Sequence, residues 1–228
     1  SSVSFPVWSN SKGQDDLRWY KAKKVKSGTW QATVPIKNHK TAGTYTVHCY
    51  GKVAGKNRAI GQTSFKVTGP SVSFGTPKVN KAKGAVTFSI TVKAPLGIAS
   101  VQLPVWCSSV KGQDDLRWYK MKRASGGNSK QAKYYVTVKM SSHKYQVGTY
   151  TAHAYVKDSA GIQAPVKVKK QKMSLPPATV KATAVSGGKY YRLTASGGML
   201  SKASSVSFPV WSNSKGQDDL RWYKAKKV

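Results

Sequence analysis

The side chains with most chemical potential are few, and they recur. Six of the seven acidic residues stand as adjacent pairs, Asp15/Asp16, Asp114/Asp115 and Asp218/Asp219, with Asp158 the only other acid. Each pair lies inside an unchanged nonapeptide, Gly-Gln-Asp-Asp-Leu-Arg-Trp-Tyr-Lys, that starts at Gly13, Gly112 and Gly216. Paired carboxyls invite a glycosidase reading, but the two must face each other across a sugar at roughly 5 to 9.5 Å. Neighbouring strand residues point to opposite faces instead. A Cys-His nucleophile needs hydrogen-bond reach; Cys49 directly follows His48, so the same alternation separates them, and the second repeat carries Ala154 in place of the cysteine. No His-Glu-x-x-His spacing for zinc occurs. The inventory assembles no dyad or triad, so the expectation is a protein that is not an enzyme, with no cofactor and no metal. The Asp pairs are read as structural, because aspartate at a turn accepts backbone N–H groups and Arg18 and Lys21 stand nearby as cationic partners. Sugar-hydroxyl contact is the functional alternative. Calcium is disfavoured, since it wants about six to eight oxygens and Lys12 shares the loop.

The aromatic residues are the better binding candidates. Trp8, Tyr20, His48 and Tyr50, with counterparts Trp106, Tyr119, His153 and Tyr155, are expected on strand faces opposite the apolar series. There they would form a ring platform suited to glycan stacking. The competing reading is packing, since cross-strand aromatic pairs also cover sheets. His39 and His143, each before a lysine, are expected to close a turn.

Strands must position these residues. Val3, Phe5 and Val7 alternate with Ser4, Pro6 and Trp8, a period of two; Leu17 and Trp19 alternate with Arg18 and Tyr20. Further strands are expected over residues 29–36, 44–50 and 63–67. The next hundred residues repeat the pattern with two strands in front: 77–81, 84–94, 98–107, 116–122, 133–140, 149–157 and 165–169. The last segment begins likewise at 179–185, 190–196 and 205–211. Seven strands with turn signals and no helical period predict an all-β fold of tandem immunoglobulin-like antiparallel β-sandwich repeats. Residues 1–25 and 204–228 are identical. The expected division is therefore 1–69, a repeat lacking its first strands; 70–170, a complete repeat; and 171–228, a repeat lacking its last strands. Incomplete sandwiches expose strand edges, which points to self-association by strand exchange. Cys49 and Cys107 occupy non-equivalent repeat positions, so a disulfide framework is not expected, and the two are read as small buried thiols.

Lys and Arg number 39 against 7 acids, for a formal charge of +32, which favours anionic polymers as partners. The lysines are spread over strands and loops rather than gathered in a block. No apolar run is long enough to cross a bilayer, so no membrane insertion is expected, and the absence of a signal peptide reads as a piece of a longer chain. Nucleic acid is disfavoured, since no recognised RNA- or DNA-binding module is visible.

Phe-Pro-Val-Trp, the nonapeptide, the His-Lys pairs and Gly-Thr-Tyr-Thr-x-His-x-Tyr, at Gly43 to Tyr50 and Gly148 to Tyr155, together resemble the group B streptococcal Bsp-like repeat of Gram-positive cell-surface proteins and peptidoglycan hydrolases. The resemblance implies a secreted, wall-associated, non-catalytic module. Joined to the charge, it predicts attachment to an anionic cell-wall polymer, teichoic acid or peptidoglycan, through lysines and aromatic glycan contacts. The alternatives are a structural stalk or self-associating surface fibre, or an adhesin repeat for host glycans.

Overall fold

A computed structural model describes residues 2–108 and 112–228. The first unit runs β1 (Val3–Ser9), β2 (Arg18–Lys21), β3 (Lys23–Lys26), β4 (Thr29–Gln31), β5 (Gly43–Val53) and β6 (Lys56–Val67). The second contains β7 (Ser71–Phe74), β8 (Lys78–Asn80), β9 (Ala85–Lys93), β10 (Ile98–Cys107), β11 (Arg117–Lys120), β12 (Lys122–Arg123), β13 (Gln131–Lys139), β14 (Gly148–Asp158) and β15 (Lys167–Met173). The third contains β16 (Thr179–Val185), β17 (Tyr190–Ser196), β18 (Ser207–Val210) and β19 (Arg221–Lys224). All the strand pairings are antiparallel, and the fold is all-β, as the period-two pattern predicts.

The second unit sets the template. One sheet has the order β7-β9-β13-β12 and the other β11-β10-β14-β15, the two-sheet arrangement of an immunoglobulin-like sandwich. Val86, Phe88, Ile90 and Val92 of β9 are buried against Leu103, Val105 and Cys107 of β10 and Tyr150, Ala152 and Ala154 of β14. The apolar alternation thus becomes the inside of both sheets. Each fully buried Phe or Ile side chain contributes about 1.5–3 kcal/mol relative to exposure.

The first unit keeps one four-stranded sheet, β2-β1-β5-β6, while the other is reduced to the β3-β4 hairpin. β4 stops at Gln31, short of the expected 29–36. Its counterpart β13 runs nine residues because β9 pairs with it along its full length; within the first unit no described strand takes that role for β4. The small core of Val7, Tyr45 and Val67 is plugged from the second unit by Ile162. Asp158 fixes that plug: buried at 1% exposure, it accepts the backbone N–H groups of Ala160 and Ile162 at 2.9 and 2.8 Å. In the third unit β16-β17 and β18-β19 are separate hairpins.

Two strand readings need extension. β5 and β6 form a long hairpin, over 43–53 and 56–67, whose turn at Ala54-Gly55 takes positive φ of 50° and 79°. β7 was not expected, since its Ser-Val-Ser-Phe is too short to show a pattern until β9 pairs with it. Cys49 and Cys107 are not disulfide-bonded; Cys107 is buried, while Cys49 is only half-buried.

Candidate functional site

The nonapeptide builds a tight reversal between two strands. β1 ends at Ser9, a short 3-10 turn covers Asn10–Lys12, and Gly13 follows at φ 58°, ψ −129°. A side chain at that conformation would be strained, so the motif opens with glycine. Gly216 repeats it at φ 60°, ψ −125°. The second aspartate of each pair then closes the loop by accepting the N–H of the last β1-type residue. Asp16 takes it from Ser9 at 2.8 Å, Asp115 from Cys107 at 2.9 Å and Asp219 from Ser212 at 2.9 Å. Asp15, Asp114 and Asp218 are exposed. Neither member of a pair lies in a strand; both belong to the turn before it.

Behind this loop sits a relay that sequence reasoning missed. Asp115 Oδ2 lies 2.9 Å from His143 Nδ1, and His143 Nε2 lies 2.8 Å from the Tyr119 hydroxyl. A carboxylate only accepts, so Nδ1 carries the proton; in the neutral ring Nε2 then accepts from the tyrosine. His143 is fully buried and packs edge-on against Tyr150 at 5.2 Å. The first unit repeats the set with Asp16, His39, Tyr20 and Tyr45: Tyr20 to His39 is 2.8 Å and the His39–Tyr45 rings are 5.2 Å apart. Its Asp16–His39 separation is 3.5 Å, a charge contact too long to count as a well-formed hydrogen bond. The two facing atoms are buried without another partner. Burial alone would raise the Asp16 carboxyl, but the Ser9 N–H and the neighbouring His39 and Lys12 hold it below the usual carboxylate range. Burial pushes the hydroxyls of Tyr45, Tyr119 and Tyr150 up.

Three expectations are corrected here. His39 and His143 are core members of a hydrogen-bonded chain, not mere turn closers. Among the described residues the ion pairs of the motif aspartates are with these histidines, not with Arg18 or Lys21. Tyr20 and Tyr119 face inward rather than outward. The register explains the last point: Tyr20 stands opposite Phe5, and Tyr119 opposite Leu103, on the core side of the sheet. The adjacent tryptophans must then face out, opposite Pro6 and Pro104. The available signal was a histidine recurring shortly before Gly-Thr-Tyr in both repeats, which marks a constant neighbour for the tyrosine of that motif.

The outer sheet face therefore carries Trp19 and Trp118 in the places expected for Tyr20 and Tyr119. Trp8 meets His48 edge-on at 4.9 Å, and Trp19 meets Tyr50 at 5.3 Å, with His48 and Tyr50 6.4 Å apart. In the second unit Trp106 meets His153 at 4.8 Å and Trp118 meets Tyr155 at 5.2 Å. Trp19 and Trp118 remain 55% and 54% exposed, while the other six rings are half-buried. Lysines border both platforms at one register position. Ser4 is flanked by Lys21 and Tyr50, and Gln102 by Lys120 and Tyr155. Lys170, beside Thr151, extends the basic border of the second. On the first unit an open depression of about 670 Å³ next to the motif loop is lined by Lys12, Arg18, Lys37 and Lys40 around the Asp15–Asp16 pair. Among the described residues no three His, Cys, Asp or Glu side chains gather as metal ligands. Among the described residues no helix is long and apolar enough to cross a membrane.

Residues 1–65, 76–171 and 182–228 match the family model described as GBS Bsp-like repeat. No curated protein matches the chain. Among solved structures, a Bacteroides fragilis NCTC 9343 protein provisionally described as a cell adhesion protein is 10% identical over 86% of this chain and 83% of that one. Its TM-score is 0.20, and at that value the likeness carries no argument.

Proposed function

The chain belongs to the GBS Bsp-like repeat family, and from that membership we propose that it is a non-catalytic surface repeat module, secreted and wall-associated in a Gram-positive bacterium, that holds an anionic cell-wall polymer. The observation that carries this reading is the solvent-facing ring platform present in both of the first two units, bordered by a lysine at the same register position. Charge supplies encounter: a net +32 raises the local concentration of a polyanion and its rate of capture. Lysine ammonium groups contact phosphate oxygens by charge-assisted hydrogen bonds. The exposed faces of Trp19 and Trp118 then stack on the sugar portions, which adds orientation to an otherwise diffuse attraction. No bond is made or broken in this scheme.

Retention on purified cell walls, with and without teichoic acid and at low and high salt, tests the proposal. Retention that depends on teichoic acid and fades as screening rises supports it; no retention at low salt overturns it. The double variant Trp19→Ala/Trp118→Ala, which removes exposed rings and leaves the core intact, is expected to weaken retention about tenfold, equivalent to roughly 1.4 kcal/mol.

A further inference from the structure

The nonapeptide holds more than its fold uses. Gly13 serves the positive-φ turn, Asp16 the Ser9 N–H and the histidine, Tyr20 the core relay and Trp19 the outer face. Gln14, Asp15 and Arg18 are exposed. Yet the second copy, which replaces Phe5 by Leu103 and Ser9 by Cys107, keeps all three as Gln113, Asp114 and Arg117. Among the described residues the first aspartate of each pair enters no ion pair and no side-chain hydrogen bond; the second aspartate makes them all. In a chain with 39 Lys and Arg residues, an acid left without a partner is not explained by the fold. Lys40 and Lys144 show a similar excess. Both follow the buried histidine, both are exposed, and they take φ of 55° and 53°, the left-handed region that glycine or asparagine enters more readily. A strained position that carries a long cationic side chain in both copies points to a use for that side chain.

In the first unit these residues share one place. Asp15, Arg18 and Lys40 line the open depression of about 670 Å³ together with Lys12 and Lys37, over His39; small-ligand sites span about 300–1,000 Å³. Lys12 is held at the rim by donating to the His39 carbonyl at 3.2 Å, and its ammonium keeps further N–H groups for a ligand. The stem of Lys40 lies against the second unit, since a Cβ on Gly161 would stand 3.5 Å from its Cγ and Cδ. Arg18 is two residues from Tyr20, so it stands on the strand face away from Trp19 and the ring platform. The second unit keeps Asp114, Arg117 and Lys144 exposed beside two full sheets, so the arrangement does not depend on the reduced sheet of the first.

We propose that this depression binds a phosphate ester that carries an amine, with Lys12, Arg18, Lys37 and Lys40 on the phosphate and Asp15 on the ammonium. Arg18 offers the phosphate a planar fork of donors and the lysines offer point charges. A purely anionic ligand would be repelled by Asp15, so the acid selects a ligand with a cation beside its anion. The site stands apart from polymer capture by the ring platform and does not rest on it.

The test is an NMR titration of the full chain, read at the amides of Lys37 to Lys40, with phosphoethanolamine and with glycerol phosphate. The native chain is expected to bind phosphoethanolamine about two- to fivefold more tightly, the span of an exposed charge pair. Phosphoethanolamine carries less negative charge, so diffuse attraction to a cationic surface predicts the reverse order. Asp15→Asn, which breaks no contact of the fold, is expected to abolish the preference. Lys40→Gly, which relieves the left-handed backbone, is expected to keep the fold and weaken both probes. Equal or weaker binding of phosphoethanolamine overturns the proposal, as does a preference that survives Asp15→Asn or binding of both probes undiminished by Lys40→Gly. Vesicles displaying the same headgroup separate the sources: no sedimentation of the chain with them supports a free or polymer-borne ester, and Asp15-dependent sedimentation overturns that source in favour of a lipid. Trp19→Ala/Trp118→Ala is expected to leave both titrations unchanged, so failure here is distinct from failure of the ring platform.

Discussion

Replacing the second aspartate of each nonapeptide by alanine applies one chemical change in three surroundings. Asp115→Ala strands two buried donors, the Cys107 N–H and the His143 Nδ1–H, which the carboxylate holds at 2.9 Å each. An unsatisfied buried donor costs about 1–3 kcal/mol, so the second unit should lose about 2–6 kcal/mol. Asp16→Ala strands the Ser9 N–H, held at 2.8 Å, but its histidine contact is already long at 3.5 Å; the expected loss is about 1–3 kcal/mol. Asp219→Ala should change nothing measurable, because that side chain is exposed and water replaces it at the Ser212 N–H. A chain of several units does not unfold in two states, so the assay is native-state hydrogen exchange read at peptides containing Cys107, Ser9 and Ser212. The ranking should appear as exchange faster by at least about thirtyfold at Cys107, less at Ser9 and unchanged at Ser212, at tenfold per 1.4 kcal/mol. Equal losses in all three copies, or the largest at Ser212, would refute the reasoning that burial and the histidine partner set the cost.

Two further outcomes follow from the same geometry. Ile162→Ala, by opening a cavity where the second unit plugs the first, should destabilise the first unit by about 2–4 kcal/mol and leave the second sandwich's thermal transition in place, as calorimetry can separate. The lowered Asp16 carboxyl has a sign: its stabilisation is fully present above the unfolded value of about 3.9 and is lost as pH falls through the lower folded value. Acid titration of first-unit structure by circular dichroism should therefore show a steeper acid limb in the native chain than in Asp16→Asn.

Much of the architecture was legible because it is local. Alternation in Val86 to Val92 or Val3 to Val7 needs no partner to declare a strand, and an aspartate before a strand declares a turn. The repeat itself announced the sandwich. Which face of Trp19-Tyr20 turns inward was not local. Period two offers two faces and cannot choose between them; the pairing of Tyr20 with Phe5 and of Trp19 with Pro6 makes the choice, and a slip of one residue would reverse it. The Asp–His–Tyr relay lay beyond reach for the same reason, since its members are 23 and 19 residues apart in the first unit and meet only once two sheets close over them. The length of β4 was likewise decided by a neighbour rather than by its own residues, because a strand persists only as far as another backbone is there to satisfy its N–H and C=O groups. Sequence alone determined the segments and their amphipathic character. Tertiary structure decided which side of each segment is core, and so which aromatic rings reach the solvent.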